Sequence, residues 1–309
     1  MVDPDLKILI EMAASQKFDY TKMKAQDIRN LMDEYANSMN TQKIDIKEVN
    51  DLNIELSGRT LKARFYNDSD SEKMILYFHG GGFVFGNIET HDSLCRLIAK
   101  TSKLKVISID YRLAPENKFP DAVNDAHDSF MYLYNNSDAF GINKNLIAVS
   151  GDSAGGNLIV SMCLMARDKG EALPALEILF YPSLAPDNFS KSFEEYSENY
   201  FLTGNDIMWF ASQYLKSMDD MINPYFSPLV VDDFSGLPPA IVVTGEYDPL
   251  RDPAETYVKK LRKSNVNAVG IRASGMIHGF ATDFEISYAA KNIVKMVYSI
   301  VPDMIQEKK

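Results

Sequence analysis

Residues Gly151-Asp152-Ser153-Ala154-Gly155-Gly156 have the types and spacing for catalysis by a serine nucleophile. They follow the apolar run Leu146-Ile147-Ala148-Val149-Ser150, which reads as a buried strand. They precede Asn157-Leu158-Ile159-Val160-Ser161-Met162, which reads as the opening of a helix. A strand, a sharp turn and a helix would raise the Ser153 hydroxyl out of the top of a sheet, within reach of a base and a substrate. Gly151 and Gly155 lack a Cβ and let the strand and helix pass closely. The Ala154 N–H, at the helix N-terminus, can face the oxygen of a bound acyl group.

Such a serine needs a base, an orienting acid and donors for an oxyanion. The chain has four histidines. His79 belongs to a glycine loop, His91 starts an expected helix and His127 lies within one, so the last two read as structural or surface residues. His278 follows a late strand and the loop Ser274-Gly275-Met276-Ile277, and precedes Gly279-Phe280, which suits a base. The acid should lie between Ser153 and His278, just past a strand. Glu246, Asp248 and Asp252 compete there. Asp248 sits past the strand end with Pro249 stiffening the loop behind it. Asp252, ahead of Pro253, reads better as a helix N-cap, and Glu246 is the weaker rival. His79-Gly80-Gly81-Gly82 closes another apolar run, Met74–Phe78, and its amides can serve the oxyanion. A phosphate loop is the alternative for such glycines, but neither G-x-x-x-x-G-K-[ST] nor a helix-opening G-x-G-x-x-G is present.

These pieces need a frame. From residue 74 onward, continuous apolar runs at 105–109, 146–150, 176–180, 240–244 and 266–272 alternate with helical segments at 89–102, 120–135, 253–264 and 283–299. That alternation predicts an α/β fold with a mostly parallel sheet flanked by helices. The motifs fall at the carboxyl ends of its strands, where such sheets bind ligands. Ahead of it, residues 1 to about 40 show helical spacing, with Leu6, Leu9, Ile10 and Ala13 on one face and Ile28, Leu31, Met32 and Tyr35 on another. Ile44–Ile46, Leu52–Leu56 and Leu61–Phe65 alternate like half-exposed strands, the last two joined by a turn at Ser57-Gly58-Arg59. Residues 183–225 break the pattern and read as an insertion above the strand ends, holding a helix near Asp206–Phe210. The division expected is 1–45 and 183–225 as a helical cap, with 46–182 and 226–309 as the core.

With 46% hydrophobic and 24% charged residues, the 309-residue chain has an ordinary globular composition. A net charge of −11 argues against nucleic acid and anionic membranes as partners. No stretch is long and apolar enough to span a bilayer. The N-terminus lacks a basic region and Glu11 interrupts its apolar run, so a cytoplasmic location is expected. Cys95 and Cys163 have no second Cys or His at ligand spacing; buried thiols are expected, with no metal.

Taken together, His79-Gly80-Gly81-Gly82-Phe83, Asp110-Tyr111-Arg112-Leu113-Ala114-Pro115-Glu116, Gly151–Gly156, Glu246–Asp252 and Ile277-His278-Gly279-Phe280 resemble the hormone-sensitive-lipase-like carboxylesterases of the α/β-hydrolases. The match runs in the family's order from about residue 75 to the end. The resemblance implies an α/β-hydrolase fold with a helical cap, Ser153 as nucleophile, His278 as base and Asp248 as acid. It implies oxyanion donors from Gly81, Gly82 and Ala154, no cofactor, a small-molecule ester as substrate and, by analogy, a homodimer. It also implies that 111–116 is structural, with Ala114–Pro115 and Phe119–Pro120 as candidate cis bonds.

A serine esterase for short-to-medium-chain esters is thus expected. Amidase, formamidase or thioesterase chemistry could use the same residues. A non-catalytic receptor is disfavoured by His278, and an interfacial lipase by the charges interspersed through 183–225. Phe83 and Phe85 beside the glycine loop, and Phe201, Trp209, Phe210 and Tyr214 in the insertion, are candidate pocket walls.

Overall fold

The computed structural model describes residues 1–16, 20–39, 43–185 and 189–306; the parts of the expected cap at 17–19, 40–42 and 186–188 lie outside these. Strands β1 (Glu48–Leu56), β2 (Arg59–Asn67), β3 (Met74–Phe78), β4 (Lys105–Asp110), β5 (Ile147–Asp152), β6 (Glu177–Phe180), β7 (Ala240–Tyr247) and β8 (Ala268–Ile277) form one sheet in the order β1-β2-β4-β3-β5-β6-β7-β8. β2 runs antiparallel to β1 and β4, and every other pairing is parallel. The fold is that of an α/β hydrolase.

Both faces of the sheet are covered, which is why its inner strands are apolar without alternation. Side chains still point to opposite sides in turn. Met74, Leu76 and Phe78 of β3 join the layer beneath α4 (Asp121–Asn135), α5 (Ala154–Lys169) and α8 (Arg251–Lys263). Ile75 and Tyr77 join the layer beneath α3 (Asp92–Ser102) and α9 (Tyr288–Met304). The N-terminal segment supplies α1 (Lys7–Gln16) and α2 (Ala25–Met39), and the β6–β7 connection supplies α6 (Lys191–Tyr196) and α7 (Gly204–Tyr214).

The expected hairpin forms, with Leu56 opposite Arg59 around Ser57-Gly58. Three local readings need correction. Ile44–Ile46 is not a strand; β1 starts at Glu48, and Ile46 is buried in the α3/α9 layer without pairing. The last strand runs on to Ile277 and includes the stretch read as a loop. Between the Gly245–Ala273 and Tyr247–Ile277 pairs, two steps on β7 match four on β8, so residues 274–276 bulge out of register. The final helix starts at Tyr288, where the Ser287 hydroxyl accepts the Ala290 N–H. Ala114–Pro115 and Phe119–Pro120 are both cis. Cys95 and Cys163 are buried free thiols.

Candidate active site

Ser153 is the single residue between β5 and α5. Its backbone sits at φ 52°, ψ −116°, a region that costs an L-residue on the order of 1–3 kcal/mol. The surroundings hold it there. Its N–H donates to the Phe180 carbonyl at 2.9 Å, and its carbonyl accepts from Ser183 N–H at 3.1 Å. A Cβ on Gly155 would lie 2.0 Å from the Phe78 carbonyl oxygen, and one on Gly151 would lie 2.6 Å from it. Only glycine allows this crossing of β3, β5 and α5.

β7 and β8 are neighbours, and the residues just past their ends meet. The His278 Nδ1–H donates to Asp248 Oδ2 at 2.9 Å. A carboxylate can only accept, so Nδ1 carries the proton and Nε2 is left as acceptor for the Ser153 hydroxyl, also at 2.9 Å. Asp248 is fully buried, and its Oδ1 accepts the Leu250 N–H at 2.8 Å. The two rival acids point elsewhere. Glu246 accepts the Gly275 N–H at 2.8 Å. Asp252 is not an N-cap: α8 begins one residue before it, and its carboxylate accepts Ser192 N–H at 2.9 Å from the first turn of α6.

The glycine loop lies beside the elbow because β3 pairs with β5. Gly81 and Gly82 adopt φ 113° and 60°. The Gly81 carbonyl accepts from the Val84 and Phe85 N–H groups at 3.0 Å. The N–H groups of Gly81, Gly82 and Ala154 donate to no acceptor among the described residues. Asp152 anchors the loop by accepting the Gly80 N–H at 2.9 Å and the Tyr77 hydroxyl at 2.7 Å. Burial pushes the Asp152 carboxyl up, but the facing His91 and the Tyr77 hydroxyl outweigh it and hold it below the usual carboxylate range. His79, stacked on Tyr111 at 4.2 Å, is pushed down to about 3 by burial first and His91 second, so it stays neutral. His127 lies outside the site, bonded to Asp128 and Glu171.

Above Ser153 and His278 is a cavity of about 230 Å³. Phe83, Phe85, Phe201 and Phe210 line it. Trp209 and Tyr214 do not. On α7 the inward stripe is Ile207, Phe210, Ala211 and Tyr214, but Tyr214 lies one turn beyond the cavity, fully buried and stacked on Phe83 at 4.1 Å. Trp209 lies on the flank of that stripe and packs on Tyr20 at 5.9 Å. Sequence reasoning missed Met32 and Tyr35 of α2, Tyr181, and Asp283. Asp283 is buried, and its Oδ1 accepts the Tyr35 hydroxyl at 2.8 Å. Burial pushes its carboxyl up to about 6, against the Tyr35 hydrogen bond. The available signals were the 3.6-residue stripe of α2 and an acid set among Phe280, Ala281 and Phe284.

A family profile described as alpha/beta hydrolase fold matches residues 75–282. An arylesterase of Saccharolobus solfataricus is 35% identical over 309 residues, covering 99% of each chain. The crystal structure of EstFA, described as its Fe-lacking apo form, superposes with a TM-score of 0.95 at 59% identity, covering 98% of this chain and 100% of that one. A hyperthermophilic esterase from the archaeon Pyrobaculum calidifontis superposes with a TM-score of 0.92 at 38% identity, covering 98% of both chains. The chain belongs to the hormone-sensitive-lipase-like carboxylesterases of the α/β-hydrolase fold.

Proposed function

We propose that this carboxylesterase hydrolyses short-to-medium-chain esters with Ser153 as nucleophile, His278 as base and then acid, and Asp248 as the group that orients His278. The Asp248–His278–Ser153 row, 2.9 Å at each step and open to an apolar cavity, carries the reading. His278 Nε2 takes the Ser153 proton as Oγ attacks the ester carbonyl. The developing oxyanion accepts the N–H groups of Gly81, Gly82 and Ala154; one such donor contributes on the order of 2.7–4 kcal/mol. His278 returns the proton to the leaving alcohol. Water, activated by the same imidazole, then releases the acid. Asp248 keeps Nδ1 protonated and stabilises the transient imidazolium.

Residues 1–45 and 183–225 are read as a cap, supported by Tyr35, Phe201 and Phe210 lining the cavity from those segments. Among the described residues, no group of three or more His, Cys, Asp or Glu is arranged to hold a metal ion. No helix of the described residues is long and apolar enough to cross a membrane. Hydrolysis of nitrophenyl esters of increasing acyl length, by wild type and Ser153→Ala, tests the reading. A maximum at short or medium chains that is lost in the variant is expected. Turnover that survives the substitution, or that appears only with amides or thioesters, overturns it.

A further inference from the structure

The cavity wall holds a carboxylate that the hydrolytic steps do not use. Asp283 is only 6% exposed. One oxygen accepts the Tyr35 hydroxyl, and the other, Oδ2, has no hydrogen-bond partner among the described residues. Oδ2 is not sealed from solvent, and Asp283 lines the cavity, so a bound cationic group can reach it. Gly279 locates where that group would sit. A Cβ on Gly279 would lie 3.4 Å from the Phe201 ring and 3.9 Å from Asp283 Oδ2, so the glycine leaves open a space between an aromatic ring and a carboxylate. Tyr181 stands close enough to Asp283 to feel its charge. No Lys or Arg lines the cavity among the described residues, while Asp206 and Glu285 add to its negative lining.

A carboxylate facing aromatic rings, with no competing cation, is the environment that holds an alkylammonium group. Gly279 directly follows His278, whose Nε2 must reach the leaving alcohol oxygen. We propose that the space between Gly279, Phe201 and Asp283 is a subsite for a cationic group on the alcohol part of the ester. Esters of amino alcohols or of quaternary ammonium alcohols are the substrate class it fits. The assignment rests on the esterase reading above and narrows it. Tyr35 holds the carboxylate in place from α2, so the cap contributes to the subsite.

The test compares kcat/KM for an acetyl ester of choline with that of its uncharged carbon isostere, 3,3-dimethylbutyl acetate. In wild type the cationic ester should be preferred roughly tenfold or more, from a charge contact in a partly desolvated site. In Asp283→Asn, which keeps an acceptor for the Tyr35 hydroxyl, the ratio should fall to about one. In Tyr35→Phe, which keeps the charge, the preference should persist. A preference arising only from the overall negative charge would instead survive Asp283→Asn and vanish in salt. That result overturns the subsite, as does a wild-type ratio of one, or an equal loss on both esters in Asp283→Asn, which marks a tether only. Should Asp283→Asn not fold, wild type decides alone. Tetramethylammonium chloride should compete with the neutral ester beyond the effect of equal sodium chloride, and failure to compete overturns the proposal. Failure to hydrolyse either ester or any nitrophenyl ester would instead overturn the esterase reading, and the subsite with it.

Discussion

The Glu246 carboxylate accepts the Gly275 N–H at 2.8 Å, inside the β8 bulge that lies two residues before His278. A residue that loses the contest for the imidazole thereby sets the position of the strand that carries it. Without this acceptor the bulge loses the hydrogen bond from β7 that fixes its shape. A hydrogen bond to a charged group contributes about 1.5–3 kcal/mol. Glu246→Ala should lower kcat roughly tenfold with a smaller change in KM, and Glu246→Gln should recover most of it. Steady-state kinetics on a nitrophenyl ester, with a thermal melt of each variant, checks this; equal kcat in Ala and Gln variants would remove Glu246 from the account.

Ser153→Ala and His278→Ala should each lower kcat by roughly 10⁴–10⁶-fold, because the members of such a row act as a unit. The double variant should be no slower than the worse single one. Additive losses, measured in pre-steady-state or single-turnover runs, would mean that the two groups act independently.

Gly155→Ala puts a Cβ against the Phe78 carbonyl, which is backbone of a central strand and cannot move aside. Overpacking of this kind costs about 1–3 kcal/mol, and a contact this close belongs at or above the upper end. The urea midpoint should fall with an unchanged slope. A variant as stable as wild type would show that β5 and α5 are less closely crossed than described.

Phe210 lies against the glycine loop proposed to hold the oxyanion, since a Cβ on Gly82 would run into its ring. Phe210→Ala should lengthen the preferred acyl chain and lower kcat/KM for acetate esters several-fold, as apolar contact is lost. An unchanged chain-length profile would place the acyl group elsewhere in the cavity.

Glu177 opens β6 fully buried, accepting the Tyr257 hydroxyl at 2.8 Å. Burial pushes its carboxyl up from 4.5 to about 7, against the Tyr257 hydrogen bond. The folded chain holds this proton more tightly than the unfolded chain. Its contribution is therefore full below about pH 4.5 and is lost as pH rises through about 7. Glu177→Gln removes that dependence. The stability of the variant relative to wild type should rise between pH 5 and pH 8 by on the order of 2–3 kcal/mol. Paired urea titrations at the two pH values measure it; a constant difference would mean that Glu177 ionises as readily folded as unfolded.

What sequence reasoning could see was local. The elbow and the glycine loop were legible because strand, turn and special residues adjoin in the chain. Asp248 is preferred over Glu246 and Asp252 on loop position and on the family resemblance, because nothing local says which side chain past a strand end turns toward the next strand. Asp252 was misread because α8 begins at Arg251, ahead of the Pro253 cue. The candidates Trp209 and Tyr214 fall outside the cavity lining because helical phase is periodic, whereas depth into a cavity is not. The Tyr35–Asp283 contact spans 248 residues and joins an N-terminal helix to the loop after β8. No pattern within either segment names the other.

Ser153 and His278 stand 125 residues apart in the chain, with the last three strands to be laid down between them. In a chain made from its N-terminus, the serine and the glycine loop are both present before the first half is exceeded. The imidazole arrives only after β8. A half-made chain therefore carries the proposed nucleophile without the proposed base, and on that reading ester hydrolysis must wait until β8 has been made. A truncation that stops short of residue 278 leaves the chain without the proposed base, however much of the sheet it retains.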